Sequence, residues 1–505
     1  MAESDSVALP LAPETYSDHV LTLGKGISLA LGSDALVAKD KDLAKRNRTR
    51  FCGVAIGNLP TEIALPYYNI LWASIDNDNE LVIDYTTEKR NAKIRCERLQ
   101  YSLGNTPIVP AQAWIETLLK RAYGQAQRQR RAKVLVNPHA GPGGAVHIWE
   151  TDVRPLFEAA RMTLDVVTTG HGGQGTQISE ALDIDAYDVL VVCSGDGLAY
   201  EVFNGFGKRA DARSALQKVA IAHIPCGSGN AMSCNLNGSH LPGPSALAVI
   251  KGVRTSIDLM SITQGSRRML SFLSQSVGII AEADLGTENM RWLGAARFDV
   301  GVAQRIFSKK VYPCDFAIKV EYENKSEVRA HYKRIRNGEQ GQKNEGGEST
   351  AAASLLTSDS KPEAGEGLPP LRFGTINDEV PDDWETTSYD KLGNFYCGNM
   401  AWMAPNANFF SAACINDGLM DLVTNDGDIP VRKYIDLMTS VETGKFFDNS
   451  LVSYRKIVAY RFTPRNQIDG HISIDGERIP FEPFQVEAGW ELEADRYQRL
   501  SYKRF

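Results

Sequence analysis

Short apolar and alternating runs, separated by turn residues, occupy the first part of the chain between about residues 20 and 105. Runs of this length and spacing predict β-strands. A proline at position 110 then opens a stretch in which Trp114, Leu118 and Ala122 recur at helical spacing, which predicts an amphipathic helix. The pattern therefore predicts a β-rich module over residues 19–125 that closes with a helix.

From Lys133 the pattern changes to apolar strands that alternate with helices. This alternation predicts an α/β domain whose parallel-type sheet carries helices on both faces. We assign this domain to residues 133–275. Ligands of such sheets bind beyond the carboxyl ends of the strands. The predicted strands are 134–136, 164–168, 189–193 and 219–224, and the predicted helices are 146–160, 174–182 and 199–205.

Strand patterns return after about residue 258 with few helices between them. They predict a second, mainly β domain with a sandwich architecture over residues 276–332 and 386–505. Residues 333–385 are rich in Gly, Glu, Ser, Lys and Pro, which predicts a disordered insertion. Residues 1–18 are likewise predicted to be disordered, and residues 126–132 to form a basic linker. The N-terminal β-rich module resembles a pleckstrin-homology-like domain.

Composition and charge disfavour several classes of protein. A formal net charge of -7 over 505 residues provides no basic field for nucleic acid, so no nucleic-acid partner is expected. The eight cysteines include no CxxC pair, which indicates reduced thiols in the cytosol. The chain shows neither a secretory signal nor a run of about 20 apolar residues. The protein is therefore expected to be cytoplasmic and, if it acts on a lipid, to associate peripherally with intracellular membranes.

Three glycine-rich turns follow predicted strands, over residues 137–144, 194–197 and 225–231. Glycine lets backbone N–H groups approach a phosphate closely because no side chain stands in the way. A single turn of this kind is weak evidence, since a turn after a buried strand favours glycine for its geometry alone. The three turns together carry more weight.

A fourth glycine-rich turn, over residues 170–175, satisfies the GxGxxG pattern between a strand and a helix. Taken alone it would indicate a dinucleotide-binding oxidoreductase. The turn follows the second strand of the domain rather than the first, which disfavours that class. The chain also has no GxxxxGK[ST] motif, so a P-loop kinase is not supported.

In combination, the three turns resemble the catalytic domain of fungal-type sphingosine (sphingoid long-chain base) kinases in the diacylglycerol-kinase superfamily. The resemblance extends over residues 133–310 and 393–485 and implies an ATP-dependent lipid kinase. It assigns the catalytic carboxylate to Asp196. It assigns nucleotide contacts to Asn137, Pro138, His139, Thr169, Gly173, Glu201, Gly227, Ser228, Gly229, Arg291, Arg297, Asp475, Gly476 and Glu477.

The same resemblance assigns the lipid headgroup to Asp284 and, beside it, to Ser194, Gly195, Gly197 and Ser274. No protein metal ligand is expected, because Mg2+ would enter with ATP. The first turn departs from the family, since His139, Ala140 and Pro142 stand where relatives often have a basic residue, glycine and lysine. Residue 282 is Glu where relatives often have Asp. These departures leave the contact to the β-phosphate and the role of Glu282 open.

A lipid substrate also needs an apolar slot, although most apolar residues of the second domain are expected to be core. The candidates are Phe272, Leu273, Ile279, Ile280, Phe298, Val302, Ile306, Phe307, Phe409, Phe410 and Met420. Arg305, Lys309 and Lys310 are candidates for a basic amphipathic edge that faces a membrane.

The predicted headgroup site favours a sphingoid base among lipid acceptors. A buried carboxylate needs a cationic or hydrogen-bond-donating partner, and Asp284 would find one in the amine of a sphingoid base, whereas diacylglycerol has no ammonium group. The alternatives are a ceramide or diacylglycerol kinase, less favoured an NAD kinase, and a non-catalytic lipid-binding scaffold. The expected partners are the lipid and a membrane surface, with a homodimer as one candidate assembly.

Overall fold

The structure is a computed structural model that describes residues 19–23, 26–41, 61–286, 301, 310–337, 367–467 and 470–489. The chain divides into two compact units, Met1–Gln129 with Pro155–Arg161, and Arg130–Arg154 with Met162–Phe505. None of the described helices is both long and apolar enough to span a bilayer. The predicted disorder of residues 1–18 concerns residues outside this description. Arg291, Arg297, Phe298, Val302, Arg305, Ile306, Phe307 and Lys309 also lie outside it.

The first unit contains two antiparallel sheets and one long helix. The helix, α1, buries Trp114, Leu118 and Ala122, which are the positions predicted from their spacing. Its start at Ile108 places two further residues before the proline at position 110. The strands are β1 Val20–Leu23, β2 Ile27–Leu31, β3 Ala35–Asp40 and β4 Glu62–Pro66 in one sheet, and β5 Ile70–Ile75, β6 Glu80–Lys89 and β7 Lys93–Ser102 in the other; α1 is Ile108–Tyr123.

The second unit begins with a four-stranded parallel sheet of order β11-β10-β8-β9. This confirms the predicted parallel sheet. From β8 the chain proceeds to β9 on one side and later to β10 on the other, so a crevice opens where β8 and β10 end. The strands are β8 Arg131–Val136, β9 Thr163–Thr168, β10 Val189–Ser194 and β11 Ala220–Pro225. The helices of this unit are α2 Ala145–Ile148, a π-helical turn Trp149–Val153, α4 Gln174–Glu180, α5 Asp196–Gly207, α6 Ala212–Lys218, α7 Ala231–Leu236 and α8 Pro242–Lys251. Helix α3, Arg154–Ala159, belongs from Pro155 onward to the first unit.

Two features of these helices differ from the sequence prediction. The helix predicted over 199–205 begins at Asp196, because Gly195 takes the extended N-cap conformation and the helix starts directly after it. The helices α6, α7 and α8 were not predicted. Helix α7 has only six residues, and α8 buries every residue from Ser245 to Ile250, so neither shows the one-sided apolar stripe on which such predictions depend.

A large antiparallel sheet accounts for most of the remaining described residues of the second unit. Its strands follow one hydrogen-bonded path, β13-β12-β24-β21-β20-β17-β14-β22-β23, with β15 joined to β21 and β16 to β15. The strands are β12 Met260–Gln264, β13 Arg267–Ser271, β14 Ser274–Gly278, β15 Cys314–Tyr322, β16 Glu385–Tyr389, β17 Leu392–Gly398, β20 Met420–Asp426, β21 Ser453–Pro464, β22 Ile472–Ile474, β23 Glu477–Ile479 and β24 Phe484–Ala488. A separate hairpin is β18 Trp402–Ala404 with β19 Ala407–Asn408, and the helices are α9 Ile279–Gly286, α10 Lys325–Arg336 and α11 Val431–Glu442.

The disordered insertion predicted over residues 333–385 was drawn too long at both ends. Helix α10 continues to Arg336, inside the predicted insertion. A capping box between Asn324 and Glu327 stabilises the start of this helix. At the other end Trp384 is buried and packs edge-on against Phe373, with ring centroids 5.4 Å apart. These two aromatic side chains provide apolar packing that the mostly polar composition of the segment did not predict. Within the predicted insertion, residues 338–366 lie outside the description.

A fully buried cluster of charges lies in the core of the antiparallel sheet. Lys456 Nζ is 2.8 Å from Asp417 Oδ2 and 2.9 Å from Asp421 Oδ2, and no part of the lysine side chain is exposed. The Tyr454 hydroxyl donates to Asp421 at 2.6 Å, and His331 Nε2 lies 2.9 Å from Asp417. Burial alone would lower the pKa of Lys456, but the charges of Asp421 and Asp417 outweigh it and hold that pKa above its usual value. The lysine is therefore a buried cation shared by two carboxylates.

Candidate active site

The four predicted turns meet at one edge of the parallel sheet, because all four strands run in the same direction. Asn137 follows β8, Thr169 follows β9, Asp196 follows β10 by two residues, and Gly227 follows β11. Thr169 is buried and its backbone N–H donates to the carbonyl of Val136 at 2.9 Å. The crevice at the topological switch point is thus lined by the residues that the sequence assigned to the nucleotide.

The first turn is tied to the second by the side chain of Asn137. Its Nδ2 donates to Ser194 Oγ at 3.2 Å, and its Oδ1 accepts the backbone N–H of His139 at 3.0 Å. Gly141 has φ +54°, and a Cβ there would lie 2.9 Å from the carbonyl oxygen of Cys226. The first turn therefore also touches the third, and glycine is required for that approach. Pro138 is half-buried and His139 is exposed beside them.

The third turn approaches the second so closely that no side chain fits between them. A Cβ on Gly227 would lie 2.4 Å from the Cα of Gly195, and a Cβ on Gly229 would lie 3.0 Å from Asp196 Oδ2. Asn230 holds the turn closed, since its Oδ1 accepts from Gly227 N–H and its Nδ2 donates to the Gly227 carbonyl, both at 2.8 Å. Ser228 lies within this closed loop. Asn230 has φ 63°, a conformation that Asn tolerates better than most residues.

Asp196 is the first residue of α5, and its carboxylate bridges to the start of α7. Oδ2 accepts the backbone N–H of Ala231 at 2.8 Å, and Oδ1 accepts that of Met232 at 2.9 Å. The side chain is 10% exposed. The predicted catalytic carboxylate is therefore held between two helix starts, rather than displayed freely on a strand end. The sequence reasoning missed both partners, because they are backbone groups that any residue supplies.

Glu201 engages the GxGxxG turn. Its Oε1 accepts from Gly173 N–H at 2.9 Å and its Oε2 from Gly175 N–H at 2.8 Å. Both amides thus point to a carboxylate of this chain, where a dinucleotide fold would direct them to a pyrophosphate. Gly173 and Glu201, both assigned to the nucleotide, do lie together, but they are hydrogen-bonded to each other. This observation argues against the dinucleotide-binding alternative.

Asp475 is buried behind the loop that joins β13 to β14. Its Oδ1 accepts from Ser271 Oγ at 2.6 Å and from the backbone N–H groups of Leu273 and Ser274 at 3.0 and 2.9 Å, and its Oδ2 accepts from Phe272 N–H at 2.9 Å. Burial raises the pKa of Asp475 to about 6, against the lowering effect of these bonds. Asp475 thus shapes the loop that carries Ser274.

Glu477 brings the same segment back to the second turn, as the sequence predicted for Asp475, Gly476 and Glu477. The side chain of Glu477 is exposed, and a Cβ on Gly197 would lie 2.5 Å from its Oε1. Gly476 has φ +88°, which lets the chain reverse between the two acidic residues. Gly197 and Glu477 are therefore close neighbours, whereas the side chain of Asp475 is buried in the protein interior.

Asp284 lies on α9 and faces the same returning segment. Its Oδ2 accepts from Ser473 Oγ at 3.0 Å. Tyr396 lies between Asp284 and the residues of the glycine turns. Its side chain is buried and hydrogen-bonded to Ser274. Burial raises the pKa of the Tyr396 phenol, and the charges of Asp284, Asp475 and Asp196 raise it further. The predicted headgroup carboxylate, Asp284, and the predicted catalytic carboxylate, Asp196, thus both raise the pKa of the same phenol.

The role of Glu282, which the sequence left open, is to pair with a cation. Glu282 is buried, and its Oε1 accepts from Lys310 Nζ. The Lys310 ammonium also lies 5.0 Å from the ring centroid of Tyr312. Lys310 was predicted to join a basic membrane edge; its ammonium pairs with Glu282, and the membrane edge stays a prediction.

The described candidates for the apolar slot belong to two cores. Phe272 and Leu273 belong to the core around α5, where Phe272 stacks on Phe203 with centroids 5.0 Å apart. The core of the antiparallel sheet contains Ile279, Phe409, Phe410 and Met420, with Ile280 packed against it. Each of them has the structural role expected of most apolar residues.

The parallel sheet and its converging turns are similar to the catalytic domain of lipid kinases. Residues 131–262 match the family model described as Diacylglycerol kinase catalytic domain. Residues 19–124 match the model described as Domain of unknown function (DUF7493). A solved structure, described as a putative diacylglycerol kinase from Bacillus anthracis str. Sterne, aligns with 72% of this chain and 97% of its own at 15% identity and a TM-score of 0.48.

Curated relatives narrow the class to a family. The chain is 32% identical to Sphingoid long chain base kinase 4 of Schizosaccharomyces pombe over 88% of its own length and 90% of that relative. It is 35% identical to Sphingoid long chain base kinase 5 of Saccharomyces cerevisiae over 74% of its length, a match that spans only 60% of that relative. Sphingosine kinase 1 of Arabidopsis thaliana is 29% identical over 69% of this chain and 68% of its own. The chain belongs to the sphingoid long chain base kinase family.

Proposed function

We propose that this protein transfers the γ-phosphoryl group of ATP to the primary hydroxyl of a sphingoid long-chain base, such as sphingosine, dihydrosphingosine or phytosphingosine. The observation that carries the proposal is the position of Asp196. Its carboxylate is held at the point where the second and third glycine turns meet. The names of the relatives in this family support the choice of substrate.

Phosphoryl transfer requires an in-line hydroxyl, neutralised phosphate charge and an acceptor for the hydroxyl proton. Asp196 accepts that proton as the hydroxyl oxygen bonds to the γ-phosphorus and the bond to the β-phosphate oxygen breaks. The glycine turns at residues 137–144 and 225–231 hold the phosphates through backbone N–H groups. Arg291 and Arg297 are proposed to share the phosphate charge.

Mg2+ is proposed to enter with ATP and to neutralise charge on its phosphates, which is the chemistry this ion supplies in kinases. In the part of the chain that the structure describes, no three His, Cys, Asp or Glu side chains are grouped as a metal site. The nucleotide phosphates are the proposed main ligands of the ion, because Mg2+ is commonly bound through substrate phosphates. Asp196 remains the proton acceptor in this scheme.

The lipid end of the reaction is assigned to the second half of the unit. Asp284, with Ser473 beside it, receives the amine of the sphingoid base, which diacylglycerol lacks. We further propose that the antiparallel sheet closes on itself as a sandwich, that the first unit is a pleckstrin-homology-like module, and that the enzyme works in the cytoplasm, peripherally on intracellular membranes. Both faces of β14 and β17 are buried, which supports a closed sheet.

A lipid panel tests the proposal. Labelled ATP is offered with sphingosine, phytosphingosine, ceramide and diacylglycerol in parallel, to the wild type and to Asp284→Asn. The two sphingoid bases should be labelled by the wild type, and the variant should lose mainly affinity for them, with KM raised at least about tenfold because an ionic partner is removed. Labelling of diacylglycerol or ceramide alone would overturn the choice of substrate, and labelling of no lipid would favour a scaffold.

A further inference from the structure

His223 is a buried histidine to which neither the sequence nor the proposed mechanism gives a role. It lies on β11, is 1% exposed, and directs Nε2 to the carbonyl oxygen of Ser194 at 3.0 Å. Its other ring nitrogen, Nδ1, has no hydrogen-bond partner among the described residues. Nδ1 lies 3.9 Å from Oδ1 of Asp196. The imidazole is thus fixed at one end and faces the predicted catalytic carboxylate at the other.

The hydrogen-bond partner of Nε2 determines the protonation of the ring. A carbonyl oxygen can only accept, so Nε2 carries the proton and Nδ1 presents a bare lone pair in the neutral form. A buried acceptor without a donor costs free energy. A proton placed between Nδ1 and Asp196 would supply the missing donor. Kinase chemistry delivers a proton at this place, since Asp196 takes one from the lipid hydroxyl.

Several groups packed around β11 bear on the charge of His223. Burial, the largest effect, lowers the pKa of His223, whereas the charge of Asp196 and the hydrogen bond to the Ser194 carbonyl act to raise it. Strand β10 and helix α7, which adjoin β11, carry Cys193 and Cys234, and burial raises the pKa of both thiols, to about 11 for Cys234. Both therefore stay neutral. Lys251 at the end of α8 has its pKa lowered to about 7 by burial.

We propose that His223 is a positioning residue for Asp196 and receives from it, at Nδ1, the proton that the lipid hydroxyl gives up. This inference rests on the proposed kinase function. The oxygen of the hydroxyl bonds to phosphorus, its proton passes to Asp196 and then to Nδ1, and Asp196 is again a carboxylate. The imidazolium keeps its Nε2–H bond to the Ser194 carbonyl. The proton returns through Asp196 to water when the product leaves.

The position of Asp196 suits such a partner. Each oxygen of its carboxylate accepts a backbone N–H of α7, which fixes the side chain with Oδ1 toward the imidazole. The separation of 3.9 Å must shorten by about 1 Å for transfer, as catalytic hydrogen bonds often do when substrate binds.

The replacement His223→Gln separates proton transfer from structural support. The glutamine Nε2 reaches the position of the histidine Nε2 and can still donate to the Ser194 carbonyl, but no group titrates toward Asp196. His240→Gln is the matched control, because His240 is exposed and outside the site. Turnover is measured against pH with whichever acceptor of the lipid panel reacts fastest, so an error in the substrate assignment leaves this comparison intact.

We expect His223→Gln to lower kcat at least about tenfold, while the KM for ATP stays within about twofold. The wild type should lose activity as the pH falls through the pKa of His223, since an imidazole protonated at Nδ1 cannot receive another proton, and this acid limb should move to lower pH in the variant. An unchanged kcat with an unchanged acid limb overturns the proposal and leaves His223 as support for Ser194. If the variant does not bind ATP normally, the relay is tested on the wild type, whose turnover rate is measured in mixtures of light and heavy water. A curved dependence of the rate on the fraction of heavy water indicates that two protons are in transfer, and a linear dependence contradicts the relay.

Discussion

Replacement of Asp475 by alanine removes the acceptor that shapes the loop between β13 and β14. Three backbone N–H groups and the hydroxyl of Ser271 lose their common partner in a buried site. Each buried donor left without an acceptor costs about 2 kcal/mol. Against this, the charge of Asp475 no longer has to be buried. That burial raises its pKa from the ordinary 3.8 to about 6, and the rise corresponds to about 3 kcal/mol.

The net expectation is a loss of about 5 kcal/mol in the free energy of unfolding at pH 7. The loss should depend on pH with a definite sign. A carboxyl group whose pKa is raised in the folded state binds a proton more tightly there, so its contribution to stability is present at acid pH and is lost as the pH rises through about 6. Alanine does not titrate. The difference between the two proteins should therefore be larger at pH 5 than at pH 7, by about 1 kcal/mol.

Urea-induced unfolding, followed by tryptophan fluorescence at pH 5 and pH 7, measures this difference. Glu477→Ala is the matched control, because Glu477 is exposed and lies beside Gly197; it should leave the unfolding free energy within about 0.5 kcal/mol. Should Asp475→Ala keep wild-type stability and lose only affinity for ATP, the reasoning is refuted, and Asp475 contacts the nucleotide as the family resemblance implied.

Two further substitutions test other parts of the account. Gly227→Ala should reduce turnover at least about a hundredfold, because the added Cβ would lie 2.4 Å from the Cα of Gly195. Gly172→Ala is its control and should retain activity, because the added Cβ has no neighbour within 4 Å. Loss of activity in Gly172→Ala would support the dinucleotide-binding interpretation. Lys456→Met should lower the free energy of unfolding by about 3–5 kcal/mol, because it leaves Asp421 and its neighbouring carboxylate buried without their cation. A urea midpoint equal to that of the wild type would contradict this role for the lysine.

The strand ends of the site were predictable from the sequence, because glycine there reports a backbone requirement. Gly227 and Gly195 approach each other as their turns imply, and the order of the turns follows from a parallel sheet. The partners of Asp196 were not predictable in this way. Backbone N–H groups at the start of α7 have no sequence signature, and α7 itself is too short to show a pattern.

Side-chain type alone also leaves the roles of acidic and aromatic residues undecided. Asp475 and Glu477 are separated by a single glycine and are both acidic, yet Asp475 is buried behind a loop and Glu477 is exposed at the second turn. Only the strand pairing that places β22 against β14 separates them. Tyr396 and His223 looked like ordinary strand residues. Their contacts with Ser274 and Ser194 arise from tertiary packing between segments far apart in the chain.

The central claim is that Asp196 takes the proton of the lipid hydroxyl, and Asp196→Asn tests it most directly. Asparagine keeps the size of the side chain and one acceptor for α7 but cannot accept the proton. ATP affinity is measured by equilibrium binding, and turnover by transfer of labelled phosphate to a sphingoid base. The account predicts a dissociation constant for ATP within about threefold of the wild type and turnover lowered at least about a hundredfold. An Asp196→Asn enzyme that phosphorylates the lipid at the wild-type rate would contradict it.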